Sequence, residues 1–543
     1  MTADAPPPAA TFERTRRIAE RQPPAGLVLS LVSLYFRHVS PWFPFLDAPQ
    51  VFSDIGSVQD PSLLHYALFG ISLPFSYDIR LNQASSDSFW KYSKRRIFIE
   101  TLEEPSYSAL EAMTILTLDI SGMTNGPQVW GALAVAVKLA VQLTTSGPRV
   151  FRTSAAAPVE YRTLTVAEKT CRQRLFWAIY ALDCYVSVTT SQASDLAEEK
   201  VQAFLPLRNS TWCDRARNAE GGITPLHVFS YQLELMDIVR RLHRVYLEYT
   251  AGSLGIDETA AWLQKFSSCL AEMAQWMVSL PLSMSLQRPE GVWPGSVVPS
   301  ILMLHAFFHA MLIQLHGVIA YPPEQNLASH ASQLSTDSRQ QCLASAAVVV
   351  SIADVVAAED MGDRLGWPFA WSVWVTARYL LVAELNGAET SQDHLNVLLS
   401  SLKQMSQYWQ ISGKYWRLLN QATGELRSGR RDADGQNGVL GLLADLRVPT
   451  SDLEDQSRTD PVLHSAPSSR ELLASPRNTA AHEEQDDTAT SFPCEGTSYG
   501  AGPGLVAFDN WFSMPLFAAS ASQYHPAPEA FNEADVGGPF YRF

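Results

Sequence analysis

No cysteine precedes Cys171, and the six that occur, Cys171, Cys184, Cys213, Cys269, Cys342 and Cys494, stand too far apart to form a CxxC pair. That spacing excludes a sequence-local zinc site. No signal peptide is present, so the cysteines read as free thiols of a reducing, intracellular compartment. Charge is also scarce: Asp, Glu, Lys and Arg make up 17% of the 543 residues, against 46% hydrophobic. A mostly disordered chain does not have that balance. No uninterrupted apolar run reaches the roughly 18 residues that span a bilayer, which points to a soluble protein without membrane contact. A basic stripe of the kind that grips nucleic acid is missing as well. The net charge is −15, and from Val448 to the end there are 14 acidic residues against 4 basic ones. Most of the excess sits in that tail.

Alternating, strand-like runs are few, whereas helical spacing recurs from Leu27 to about Gly424. LVLSLVSLYFRHV, PSLLHYALFGISL, SALEAMTILTLDISGM and VWGALAVAVKLAVQL are separated by proline, glycine and serine breakers. Further apolar helices follow, and HLNVLLSSLKQMSQYW is read as the last long one. KYSKRR, Lys91 to Arg96, reads as the wet face of a helix from Ser88 to Ile99, opposite Phe89, Ile97 and Phe98. The fold class is all-α. A leader, residues 1–25, precedes a large multi-helix globular domain, residues 26–425, and a mostly disordered acidic tail, residues 426–543. Within the tail VLGLLADL is read as one short helix.

Chemistry-bearing constellations are sparse. His305, His309 and His316 share one face of HAFFHAMLIQLH, but no acid of an HExxH pattern accompanies them, and they read as core histidines. GAGPG, Gly500 to Gly504, follows no strand and precedes no lysine. No GxSxG elbow occurs. No catalytic residue, metal or cofactor is assigned, and the chain is read as a non-enzyme.

Cys171 to Val188, CRQRLFWAIYALDCYVSV, is the most informative stretch. Leu175, Ile179, Leu182 and Val186 form one helical stripe, widened by Phe176 and Tyr180, so the helix should be largely buried. Asp183 lies beside that stripe, where an unpaired carboxylate is costly and must find an arginine, a hydroxyl or backbone donors.

Arg172, Arg174, Leu175, Phe176, Trp177, Asp183 and Ser187, followed by a loop closing on Leu205 and Pro206, resemble the signature of the fungal transcription-factor regulatory domain. This is the middle homology region of zinc-binuclear-cluster regulators. LVSLYFRHVSPWFPFLDAPQVF is similar to its opening motif, FHAMLIQLH to its late histidine-containing helix and SVWVTARYLLVA to its penultimate helix, over roughly residues 27 to 420. Three departures stand out. Cys184 replaces the arginine that usually follows the helix Asp, and Thr190-Ser191-Gln192 replaces a Gly-Arg-Pro loop. The third is that the six-cysteine DNA-binding cluster is absent, which in such regulators places a helix in the major groove.

The resemblance implies a nuclear regulator of transcription, with a metabolic or secondary-metabolite biosynthetic gene set as its target. It implies a helical domain that senses a small-molecule effector or mediates partner contacts. DNA would be reached through a partner, such as a complete zinc-cluster protein. In residues 504–517, GLVAFDNWFSMPLF, Asp509 stands with Trp511, Phe512, Leu516 and Phe517. Acidic and bulky apolar residues mixed in this way suit a segment that folds onto a coactivator groove or docks on its own domain. Two other readings stay open: an incomplete gene model whose zinc cluster is encoded upstream, or a cytosolic small-molecule-binding or enzymatic module.

Overall fold

A computed structural model of the chain describes residues 25–57, 61–81, 83–145, 165–194, 196, 223–250, 256–286, 295, 297–321, 331–428 and 438–448. Their regular structure is helical throughout, with fifteen α-helices and no strand among the described residues. The first half holds α1 (Val28–His38), α2 (Ala48–Ser57), α3 (Leu63–Ser72), α4 (Gln83–Glu103), α5 (Tyr107–Met123), α6 (Pro127–Thr145) and α7 (Val166–Thr190). Next come α8 (Pro225–Thr250), α9 (Ile256–Val278), α10 (Val298–Ala320) and α11 (Ala331–Ala358). The series ends with α12 (Trp367–Leu385), α13 (Gln392–Met405), α14 (Gln410–Ser428) and α15 (Val439–Ala444).

Polar side chains set several starts. Thr165 caps α7 in a reciprocal box: its hydroxyl accepts from the Glu168 N–H at 3.2 Å, and the Glu168 carboxylate accepts from the Thr165 N–H at 2.8 Å. Such a cap satisfies donors that the first turn leaves unpaired. Ser62 and His65 do the same for α3, and the Ser106 hydroxyl accepts from Ala109 N–H in α5. At the far end of α7, Ser191 adopts a left-handed conformation (φ 53°) and stops the helix.

Helices adjacent in sequence mostly pack on one another, and the chain then closes on itself. α3 lies against α1, α4 and α5; α7 lies against α5, α6 and α8; α10 lies against α8, α11 and α12. Closure comes from α14 returning to α5, where Asn125 donates to the Tyr415 hydroxyl at 3.0 Å. Trp42 meets Trp409 edge to face across the same seam, with ring centroids 6.0 Å apart.

The helix read from HLNVLLSSLKQMSQYW is shorter than expected. α13 stops at Met405, and the last long helix is α14, which runs past Gly424 to Ser428. The break allows Trp409 to turn inward, where its indole donates to the Leu365 carbonyl at 2.8 Å. Packing also continues beyond residue 425, since α15 sits on α12 and α14 with Leu443 fully buried.

KYSKRR is only in part a wet face. Lys91 and Arg95 are exposed, but Lys94 turns inward, 3.2 Å from Met123 Sδ and 3.8 Å from the buried Asp119 carboxylate. Counting uninterrupted apolar runs also understated two helices. Val298–Ala320 and Leu334–Ala358 are long and apolar enough, by length and composition, to cross a membrane, because isolated polar residues, with Asp354 in the second, leave their mean hydropathy high. In this fold 83% and 44% of their most apolar windows are buried against other helices.

Candidate functional site

The described part of the sequence signature is built on α7. At its polar start the Arg172 guanidinium lies over the Tyr107 ring, 3.8 Å from the centroid. Arg174 is half-buried, with no hydrogen-bond partner for its Nε. Leu175, Phe176 and Trp177 are buried, and Trp177 meets both Phe176 and Tyr180 edge to face. Ser187 is buried with an unpartnered hydroxyl. Leu205 and Pro206 fall outside the described residues, as do Asp509, Trp511, Phe512, Leu516 and Phe517.

Asp183 is 0% exposed and finds both a hydroxyl and an arginine. Ser194 donates its hydroxyl to the Asp183 carboxylate, and Arg240 Nη2 lies 2.9 Å from Ser194 Oγ while also donating to the Leu196 carbonyl. The Arg240 guanidinium sits 5.1 Å from the Tyr180 ring centroid. The arginine therefore comes from α8 rather than from the position after Asp183. Cys184 is fully buried there, near the Met236 carbonyl, and burial pushes its thiol well above the ordinary range. The Arg240–Arg241 pair in YQLELMDIVRRLHRVYLEY was the signal that could have pointed to Arg240. Nothing in the sequence told which of the two faces α7.

The segment that replaces the Gly-Arg-Pro loop is fixed in place. Its Gln192 carbonyl accepts from His243 Nε2 at 2.8 Å, and burial lowers the His243 ring to about 4, so it is neutral at physiological pH. Two of the three α10 histidines have separate hydrogen-bond partners. His305 Nε2 lies 2.8 Å from the Met284 carbonyl and His316 Nδ1 lies 3.1 Å from Ser338 Oγ. His309 Nδ1 is buried without a hydrogen-bond partner, and burial brings His309 and His316 down to about 4. No group of three potential metal ligands occurs among the described residues.

A cavity of about 30 Å³ lies deeper, between α8, α10, α12 and the segment after α15, lined among others by Tyr246, Gln314, Trp371, Trp374 and Arg378. It has room for one or two waters. Arg378 is 6% exposed and spends its donors on main-chain carbonyls: Nε to Leu443 at 3.0 Å, Nη1 to Val448 at 3.0 Å and Nη2 to Asp445 at 2.5 Å. Burial draws it down to about 10, still a cation at neutral pH. Sequence reading passed over Arg378, because a lone arginine in SVWVTARYLLVA carries no pattern.

Glu111 on α5 offers a test of electrostatics in this half of the fold. Burial, with the charge of Asp54 adding, pushes its carboxyl from 4.5 up to about 7. A raised carboxyl disfavours the folded state once ionised. The penalty is absent below the unfolded value, grows between the two, and is complete above about pH 7. Glu111→Gln is therefore expected to stabilise the protein by about 3 kcal/mol at pH 8 and by far less at pH 5. Urea unfolding at the two pH values checks this, and an equal gain at both would refute it.

No solved structure matched the chain. Residues 32–279 match the profile of the fungal specific transcription factor domain, a region that includes α7 and the Asp183 network. The match ends before α10, so FHAMLIQLH and SVWVTARYLLVA lie outside it. The matched family is one of transcription regulators and not of enzymes. Over residues 32–279, just under half of its length, the sequence is that of a fungal specific transcription factor domain, which supports a role in regulating transcription.

Proposed function

We propose that the protein acts in the nucleus on a metabolic or secondary-metabolite biosynthetic gene set. In this reading its helical body answers to a small-molecule effector and its acidic tail recruits coactivators. DNA contact is supplied by a partner, such as a zinc-cluster protein. The observation that carries the reading is the fungal specific transcription factor domain itself, over residues 32–279. The 14 acidic and 4 basic residues from Val448 onward support a tail that contacts proteins rather than phosphates.

Crosslinking and sequencing of chromatin bound by the tagged chain in its native host tests this. Discrete promoter peaks over a shared motif are expected, and the motif identifies the partner that reads it. An in-frame cysteine-rich exon at the 5′ end of the transcript would replace the partner with direct DNA reading. Absence of peaks under several growth conditions removes the transcriptional role.

The tail makes a separate prediction. Tethered to DNA, residues 448–543 should activate a reporter, and replacing Trp511, Phe512 and Phe517 together by Ala should reduce that activation to background. Aromatic side chains dominate such groove contacts, so their loss outweighs the loss of charge. Unchanged activation removes residues 504–517 from the mechanism.

A further inference from the structure

We propose that the cavity beside Arg378 is the closed form of a binding site for a small apolar or aromatic carboxylate. The ligand takes Arg378 from residues 443–448 and so loosens the segment that leads from the helical body into the tail. The inference rests on the effector role proposed above and gives that effector a place and a chemical class.

The chemistry of Arg378 carries it. A buried cation costs several kcal/mol to desolvate, and an apolar residue can hold a chain segment without that cost. Arg378 hydrogen-bonds no carboxylate in return, although the Asp445 charge acts on it from nearby. Its bonds go to the neutral carbonyls of Leu443, Asp445 and Val448, while the nearby Asp445 carboxylate is forked to Arg447 at 2.8 and 2.6 Å. A guanidinium binds a carboxylate through two parallel, charge-assisted bonds, roughly twice as strong as those to neutral acceptors. An incoming carboxylate thus meets a cation whose hydrogen bonds go only to main-chain carbonyls.

The walls indicate what the carboxylate should be attached to. Trp371, Trp374, Tyr246 and Ile313 provide apolar and aromatic surface, and the buried Gln314 Oε1 has no hydrogen-bond partner, leaving one acceptor for a donor on the ligand. The outer wall is Leu446 and Val448, both half-buried and both in the segment that Arg378 holds. In the closed form about 30 Å³ admits water only, so a ligand of metabolite size enters by displacing that wall. Glu425 anchors the other end of the segment, its carboxylate accepting from the Leu440 N–H at 2.8 Å, so residues 445–448 can lift while α15 stays docked.

The test is amide hydrogen exchange on the purified full-length chain, with millimolar indole-3-acetate and benzoate as probes and indole-3-acetamide and benzamide as neutral controls. At least one acid is expected to speed exchange of residues 445–448 tenfold or more, with neither amide doing so. Arg378→Gln should exchange quickly without ligand and ignore the acids. If that variant does not fold, Leu446→Ser decides: weakening the displaced wall should tighten binding of the acid several-fold, since segment and ligand compete. No response to either acid, equal responses to the amides, or unchanged or weaker binding by Leu446→Ser each overturn the proposal. The measurement involves neither DNA nor coactivator, so it fails or succeeds independently of promoter occupancy.

Discussion

Arg240→Leu is expected to destabilise the protein by about 3–5 kcal/mol, the range for removing one partner of a buried charge pair. The effect is large because Asp183 is 0% exposed and the charge of Arg240 acts on it within a buried network. Ser194 gives its hydroxyl proton to the carboxylate, and Arg240 holds Ser194 and the Leu196 carbonyl in place. Without the guanidinium, a carboxylate remains in a low-dielectric setting with a hydroxyl that is no longer positioned. Chemical denaturation of the single variants and of Asp183→Asn with Arg240→Leu checks the argument. The double variant should recover part of the loss, because the amide carries no charge to strand. If the two single losses simply add, the residues do not act as a pair.

Gly70→Ala should be comparably costly, about 3–5 kcal/mol, for a steric reason with an electrostatic consequence. α3 approaches α4 so closely at Gly70 that a methyl group there would lie 2.0 Å from two ring carbons of Trp90. The indole has to move. Overpacking of this kind costs about 1–3 kcal/mol. The same indole donates to the Asp119 carboxylate at 2.7 Å, and Asp119 is 6% exposed, so displacing Trp90 also removes a hydrogen bond to a buried carboxylate, about 1.5–3 kcal/mol more. Trp90→Phe alone should show the second part and not the first. Adding Trp90→Leu to Gly70→Ala should relieve the clash, and a double variant no more stable than Gly70→Ala would show that Trp90 is not what the methyl group meets.

Both predictions concern neighbours brought together by the fold, and they mark where sequence reading stopped. Asp183 could be singled out because a carboxylate on an apolar stripe conflicts with the pattern around it. Asp119 lies in an equally apolar helix, SALEAMTILTLDISGM, but belongs to no recognisable signature, and its partners Trp90 and Lys94 are 29 and 25 positions away. Lys94 itself was read as part of a wet basic face, since a run of cations ordinarily lies in water. Only the approach of α5 to α4 turns one of them inward.

The sequence by itself determined the helical class, the positions of most helices and the regulatory-domain resemblance. Those depend on local quantities: the spacing of apolar residues, the capping pairs Ser62–His65 and Thr165–Glu168, and a contiguous run of signature residues on one helix. The tertiary structure alone decided that Arg240 serves Asp183, that the chain turns at Ser406–Trp409 to seat Trp409 against Trp42, and that Arg378 grips Leu443, Asp445 and Val448. Those contacts span tens to hundreds of residues. A pairing at such separation is fixed by how whole helices pack, and no local period or motif encodes it.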